Sequence, residues 1–432
     1  MRHMFSDISA FRRDPLAFFA ARGGEANVGL VRLRLGPHPI YLVADRELVK
    51  PIFKASEEEI DKGRFVQKMS AVIGTNSLTL SGTAHRERRA AIHEQLARGI
   101  SSSYVPQISS IIREFIARMI SARSFDAHAT MSALTLRVIC DTLFGRGALS
   151  RGDEAALINA IKLVEDDLAD RMFRVLPDWP WAAFRKRQRL QTGRRIMTHV
   201  VERSRHRAAN ASILKSLEDL KLDSEALRDE ILLIMLAGHH TTGSAATWLL
   251  YFLATKPDLA NALADEAASV TDARGDIDST KLTKAPLSRA AALEVLRLYP
   301  SSYWYSRETK RPVELGGVKL RAGTSLIVSP WHLHRDARYW TDPLTFNTAR
   351  LHMSNKAYVP FGSGARACVG MGLAIMEMQL LALEIASSCS LTIPSRPDVM
   401  DPKPSITLIP PVMQIEIQPR AMPAVASSRR TA

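Results

Sequence analysis

The sequence predicts a mainly helical protein with a small β part, and three observations lead there. From about residue 80 to 255, charged and apolar residues recur every three or four positions with few prolines, the spacing of amphipathic helices. Residues 224–255, SEALRDEILLIMLAGHHTTGSAATWLLYFLAT, continue that pattern unbroken until Lys256-Pro257. Strand-like alternation is confined to two places, one near the start and one after a helix expected at 286–298.

The elements follow in order. A short helix after Pro15 leads into GLVRLRLGPHPIYLVAD, whose alternation around Gly36-Pro37 predicts a β-hairpin. The 224–255 helix has acids in its first turns, as the helix dipole favours. At 1.5 Å per residue it would run ~48 Å, enough to cross a domain. Its 231–254 segment is almost free of charge, as a membrane span would be. But Gly238, His239, His240, Thr241 and Thr242 sit at mid-span, where polar groups are costly in lipid unless they serve a site. No second span offers a partner, so no membrane span is expected. The 286–298 helix has Pro286 at its first position and Pro300 beyond its end. VELGGVKLRAGTSLIVS then places Gly316-Gly317 as a two-residue hairpin turn. A last helix, VGMGLAIMEMQLLALEIASS, is expected directly after Cys368.

Length and composition bound the function. A prior of ~150 residues per domain would divide the chain in about three, but no linker-like stretch separates its 432 residues. Residues 1–418 read as one domain, and 419–432, rich in Pro, Ala, Ser and Arg, as a disordered tail. Hydrophobic residues at 46% and charged residues at 24% fit a globular protein with a large core. Cys140, Cys368 and Cys389 are too few for a disulfide framework and fit a reducing compartment. Arg2, His3, Asp7, Arg12, Arg13 and Asp14 are followed by no apolar run, so neither signal peptide nor anchor is expected, and the expected location is cytoplasmic. The net charge of +14 admits a nucleic acid, an anionic membrane surface or an acidic protein as partner. The densest basic stretch, FRKRQRLQTGRR at 184–195, reads as a solvated helix face. Aromatics do not interleave with its charges, which argues against nucleic acid.

FGSGARACVG, 361–370, gathers three glycines, Phe361, Arg366 and Cys368 at the junction of a loop and a helix N-terminus. The dipole and free N–H groups there favour a thiolate. Glycines let several N–H groups turn toward one sulfur, and such bonds tune a metal-bound thiolate. No second cysteine is near, which argues against zinc or an iron–sulfur cluster. A lone thiolate in an apolar cradle suits an axial ligand to haem iron. A small buried hydrophobe is the other use of a lone cysteine, and it is the reading for Cys140 and Cys389. A nucleophile would need a histidine base that sequence cannot place. His332 and His334, two apart in WHLHRD, would share a face on a strand, but no third metal ligand is evident.

FGSGARACVG resembles the haem-binding loop of the cytochrome P450 family, with Phe361, Gly364, Arg366, Cys368 and Gly370 in place. The resemblance spans roughly residues 15–415. It implies the P450 fold, with a long central helix over haem b (iron protoporphyrin IX) and Cys368 as the iron ligand. Glu294 and Arg297 in ALEVLRLYP match the family's Glu-x-x-Arg helix, and Arg350 stands at the place of its third member; the implied role is structural. His85 and Arg89, one turn apart, look like the family's His-x-x-x-Arg pair for the haem propionates, with Arg307 and Arg366 as further propionate ligands.

AGHHTT is similar to the family's oxygen-binding segment at Ala237, Gly238, Thr241 and Thr242. There Gly238 would leave room beside the iron and let the helix open locally, and Thr241 would donate a hydrogen bond to dioxygen. The family usually carries Asp or Glu where this chain has His240. Either His240 replaces that acid as a proton relay, its unperturbed pKa of ~6.5 being suited to the task, or it points away and water carries the protons.

The resemblance implies a haem-thiolate monooxygenase that hydroxylates or epoxidises a hydrophobic small molecule. The alternative is a haem-thiolate enzyme not using dioxygen: an isomerase, a dehydratase or a peroxide-dependent enzyme. No Rossmann or flavin segment is present, so electrons are expected from a ferredoxin or flavodoxin with its reductase, guided by Arg86, Arg88 and Arg89. Pocket residues are expected within Phe65–Leu80, Ile234–Ala237, Ser302–Tyr305 and Ile406–Pro410, which are mostly apolar. Tyr303, Trp304 and Tyr305 read either as pocket bulk or as core.

Overall fold

The computed structural model describes residues 6–25, 29–173, 179–205, 207, 212–395 and 400–420. The chain runs α1 (Ile8–Arg13), α2 (Pro15–Gly24), β1 (Leu30–Leu33), β2 (Ile40–Val43), α3 (Arg46–Lys54), β3 (Ile60–Asp61), α4 (Arg64–Ile73), α5 (Gly82–Ser102), α6 (Tyr104–Ala122), β4 (Ser124–Asp126), α7 (Ala127–Phe144), α8 (Arg151–Phe173), α9 (Pro180–Arg205), α10 (Ile213–Asp219), α11 (Ser224–Thr255) and α12 (Pro257–Val270). It continues through α13 (Pro286–Leu298), β5 (Tyr305–Thr309), β6 (Val313–Leu315), β7 (Val318–Leu320), β8 (Ser325–Val328), α14 (Pro330–Leu333), α15 (Met371–Ser388), β9 (Cys389–Thr392), β10 (Lys403–Pro404), β11 (Leu408–Ile409) and β12 (Gln414–Pro419).

Local chemistry sets the boundaries that matter here. The Asp223 side chain accepts the Ala226 N–H and starts α11. Pro286 opens α13, and Glu266 of α12 accepts the next two N–H groups, those of Leu287 and Ser288. Gly316 and Gly317 take φ +57° and +75°, so β6 and β7 are joined by the two-residue turn the sequence predicts. Strands of the two β regions legible in the sequence meet in one sheet ordered β1-β2-β8-β5-β3, in which β2 and β8 pair in parallel, while β6 and β7 form a two-stranded sheet of their own. The helical core gathers on α11, which packs along α7 and also touches α12, α13 and α15. Helix α15 is apolar enough to cross a membrane by length and composition, but Leu380, Leu381, Ala382 and Leu383 are buried in this core.

The C-terminal boundary needs correction. Strand β12 runs to Pro419, and the Arg420 N–H donates to the Ser388 carbonyl at 2.9 Å, so the chain is anchored to residue 420. Residues 421–432, the rest of the expected tail, lie outside the described residues.

Glu294 and Arg297 meet on α13 with no exposure of either side chain, through two bonds of 2.8 Å. Arg350 Nε adds a bond at 3.1 Å, His352 Nε2 one at 2.6 Å and the Asn347 N–H one at 2.9 Å. Arg297 also donates to the carbonyls of His334, Pro343 and Thr345. Burial pulls the Glu294 carboxyl up, but the bonds from Arg297 and His352 outweigh it and hold the pKa below its ordinary 4.5. The Glu294→Ala variant leaves the Arg297 charge buried without its carboxylate, and should lose about 3–5 kcal/mol in urea unfolding. In the wild type the contribution of this carboxylate should be complete above pH 4.5 and fall away as pH drops through its depressed value.

Candidate active site around Cys368

The network reaches the cysteine loop through His334. Its Nδ1 donates to the Arg297 carbonyl at 3.1 Å, and its Nε2 accepts the Val359 N–H at 2.9 Å. Burial keeps this ring neutral, well below its ordinary pKa, as that pairing requires. Tyr305 Oη donates to the Pro360 carbonyl at 2.6 Å, and Tyr358 Oη to Leu293 at 2.9 Å. The Cys368 N–H donates to the Phe361 carbonyl at 2.8 Å, closing the loop on itself. Gly364 has φ +69°, and a Cβ there would lie 2.2 Å from the Phe53 carbonyl oxygen. Both the backbone conformation and the approach of α3 demand glycine. Helix α15 starts at Met371 with Gly370 at its cap, so Cys368 lies in the turn before the helix and not on its first residue.

Cys368 is exposed by surface area, yet burial pushes its thiol pKa up. A group that is accessible and still desolvated faces an interior space. The Gly370 N–H and the Arg89 guanidinium pull the other way but do not prevail. The expectation that dipole and N–H groups alone favour the thiolate is therefore corrected. The charged form needs a cation at the sulfur, which a metal would supply.

The cations named from sequence converge here, with one addition. Burial first and the nearby Arg366 second lower the pKa of Arg307 to about 10, of His85 to about 4 and of Lys62 to about 7. Arg89 is lowered by burial and by Arg366, while Cys368 raises it. Arg366 is held by Glu57 at 2.5 Å, Asp61 at 3.4 Å and the Leu80 carbonyl at 2.7 Å. Among the described residues, the carboxylates acting on Lys62, Arg307 and Arg366 are Glu57 and Asp61, fewer than the cations gathered here. His85 Nδ1 is buried without a hydrogen-bond partner. This set fits a buried dianion beside the sulfur, as the two propionates of a haem would provide. Lys62 escaped the sequence reading because no periodicity singles out one lysine before α4.

On α11, Ala237 is exposed and Thr241 partly so, although most of the helix is buried. Thr241 Oγ1 donates to the Ala237 carbonyl at 2.6 Å, and the Thr241 carbonyl accepts Ser301 Oγ at 2.6 Å. Thr242 is buried. Gly238 does not serve the expected purpose: a Cβ there would lie 2.7 Å from Ile139 Cγ1, so its lack of a side chain admits α7, and α11 is helical throughout. His240 Nε2 contacts the Glu165 carboxylate of α8. Burial raises the Glu165 pKa, and His240 only partly offsets it. The His239 ring lies 4.1 Å from that of His240, tilted by 59°, and is drawn down to about 3 by burial, His240 and His128. Glu165 lies 75 residues from His240 in sequence, which hid the pairing.

Other expectations are revised by their contacts. His332 and His334 lie on and just after α14, not on a strand; His332 is 3.6 Å from Asp336, while His334 braces the loop. Arg88 is buried against Glu230, so of the three arginines proposed for docking only Arg86 stands at the surface. Tyr303 is core, with its Oη donating to the Ser405 carbonyl, and Leu408 is fully buried. Trp304 meets Phe65 edge-on at 5.3 Å and remains a lining candidate.

A cysteine loop pinned by a buried Glu–Arg network, with a cation cluster beside it that lacks its anions, fits a haem-binding protein. The cytochrome P450 family model matches residues 27–417, and the chain belongs to that family, as an oxidoreductase of the P450 monooxygenase type. It is 29% identical to the cyclooctat-9-en-7-ol 5-monooxygenase of Streptomyces melanosporofaciens, over 88% of this chain and 85% of that one. It is 26% identical to cyclooctatin synthase of the same organism, over 94% and 92%. Among solved structures, cytochrome P450 CYP102L1 superposes with a TM-score of 0.80 at 21% identity, covering 94% of this chain and 98% of that one. CYP175A1 from Thermus thermophillus gives 0.78 at 24%, covering 98% and 99%.

The Gly364→Val variant should expel the loop from its seat against Phe53 and sharply lower haem content per protein, read from the ratio of haem to protein absorbance. The Cys368→Ser variant should lose the carbon monoxide difference band of thiolate ligation while the apoprotein fold, followed by far-UV circular dichroism, is retained.

Proposed function

We propose that the chain up to Arg420 acts as one haem b domain that uses dioxygen and externally supplied electrons to hydroxylate or epoxidise a hydrophobic small molecule. The observation that carries this is the desolvated but accessible Cys368 thiol beside cations whose charge the chain does not balance. Cys368, His85, Arg89, Arg307 and Arg366, with Lys62, would hold the haem, whose thiolate-ligated iron supplies the oxygen activation. The chain's own residues do the rest. Phe65, Trp304 and Ala237 offer apolar surface that orients substrate and excludes water. Thr241 holds a hydroxyl proton one helical turn from Ala237. His240 and Glu165 lie in contact next to Thr241, with His239 on α11 and His128 on α7 as the nearby titratable rings. This pair takes the place of the carboxylate the family usually carries there.

The names of the Streptomyces relatives support an apolar substrate: one is a monooxygenase of an unsaturated alcohol. Electrons would come from a ferredoxin or flavodoxin with its reductase, and Arg86 remains an exposed cation for an acidic donor. Three unpaired cysteines fit a cytoplasmic location.

Oxygen consumption with a surrogate reductase separates this reading from an isomerase, dehydratase or peroxide-dependent enzyme, which would consume none. Substrates should reveal themselves by a haem spin-state shift in a screen of lipophilic compounds. The Thr241→Ala variant should release more peroxide per oxygen consumed; an unchanged yield would remove Thr241 from proton delivery. Glu165→Gln and His240→Gln should each slow turnover and flatten its pH profile, and the double variant should be no slower than the worse single one, because the two act as one unit.

A further inference from the structure

Proton delivery as proposed above uses His240 and Glu165 and leaves His239 without a task. Consecutive residues of an α-helix diverge by ~100°, so the two histidines of α11 would ordinarily face different surroundings. Here their rings lie 4.1 Å apart, with His239 buried and His240 half-buried. Glu165 reaches the same place from α8, where its carboxylate contacts His240 Nε2. One ring nitrogen from each histidine and one carboxylate oxygen all lie within 4.8 Å of one another. Zinc bonds of ~2.0–2.2 Å to nitrogen and oxygen set ligand atoms roughly 3.3–3.6 Å apart in a tetrahedron. The three groups are thus within a side-chain adjustment of one coordination sphere.

An ion pair between Glu165 and His240 accounts for two of the three groups. It does not account for His239, which is only 5% exposed and whose Nδ1 makes no hydrogen bond. A buried ring nitrogen without a partner costs free energy, and a metal ion is a partner that a neutral imidazole accepts. A backbone hydrogen bond to Ser132 of α7 orients the His239 ring, as outer partners orient metal-bound histidines. We infer that Glu165, His239 and His240 form a binding site for a divalent transition-metal ion of the zinc class, where α8 and α11 meet. Two imidazoles with one carboxylate are a zinc donor set, and the fourth position is left to water. Calcium and magnesium, which take oxygen ligands, do not suit it. The site does not depend on the reaction proposed above. One consequence does rest on that reading: an ion here would withdraw His240 and Glu165 from proton delivery and slow turnover.

The test is equilibrium dialysis of the full-length haem-loaded protein, without an affinity tag, against zinc chloride buffered by a competing chelator. Zinc and haem iron are then counted by atomic emission. Wild type should retain one zinc per haem. The His239→Phe variant keeps a ring and removes both nitrogens, and Glu165→Gln removes the charge at a partly exposed position. Each should weaken zinc binding by at least roughly 10–100-fold, the loss that follows even when a ligand's outer partner is removed. His93→Gln, at an exposed histidine of α5, should bind as wild type does. Melting temperature and the carbon monoxide band report folding, and if His239→Phe fails to fold, Glu165→Gln decides alone. The inference is wrong if wild type retains no zinc, or if the folded variants retain as much as wild type, since the ion would then be adventitious only. Zinc should also slow wild-type turnover. If it binds at this site and turnover is unchanged, the site stands and the role of His240 and Glu165 in proton delivery falls.

Discussion

A single negative charge on sulfur, held inside apolar protein, is the constraint from which the rest of this structure follows. Burial alone drives the Cys368 thiol toward its neutral form, and one guanidinium with one backbone N–H does not reverse that. The charge is sustainable only with a cation placed at the sulfur. Such a ligand must be fixed before it binds, because a mobile thiol would lose ordering entropy at each loading. The bracing is accordingly redundant. His334, Tyr305 and the Phe361 carbonyl each grip a different backbone atom of residues 359–368.

Two clusters of buried charge lie near this loop, and they differ in a way that separates structure from function. Glu294 receives bonds from Arg297, Arg350, His352 and the Asn347 N–H, so its cluster is complete within the chain. A buried ion costs several kcal/mol to desolvate, and only such full satisfaction recovers it. The cluster of Lys62, His85, Arg89, Arg307 and Arg366 is not complete. Arg366 depresses Lys62, His85 and Arg307, and the buried His85 Nδ1 makes no hydrogen bond, with Glu57 3.8 Å away. Charges that hold a fold are balanced from within. Charges that hold a ligand are left for the ligand to balance.

What could be read from sequence was local. The bounds of α11 and α13, the Gly316-Gly317 turn and the crowded loop at Cys368 each depend on neighbours within a few residues. The members of the Glu294 network were also placed, but only through resemblance; His352, which makes the shortest bond to the Glu294 carboxylate, was not. Lys62, Glu165 and the parallel pairing of β2 with β8 were missed for one reason. Their partners are distant in sequence, and no period or spacing records a contact across helices. Gly238 misled in the same manner: a glycine beside a candidate site invites a functional account, whereas its neighbour is Ile139 on α7.

The pairing of His240 with Glu165 places the acid of the oxygen side on a different element from the alcohol. Thr241 belongs to α11, which is buried along most of its length and anchored by Thr135, Ser301 and Leu408. Glu165 belongs to α8, whose partners are chiefly α9 and α4 at the edge of the fold. A proton path that spans both helices is complete only while α8 lies against α11. A carboxylate carried on α11 itself would lack this dependence. The proton path proposed for this pair therefore rests on packing between two helices that are distant in sequence.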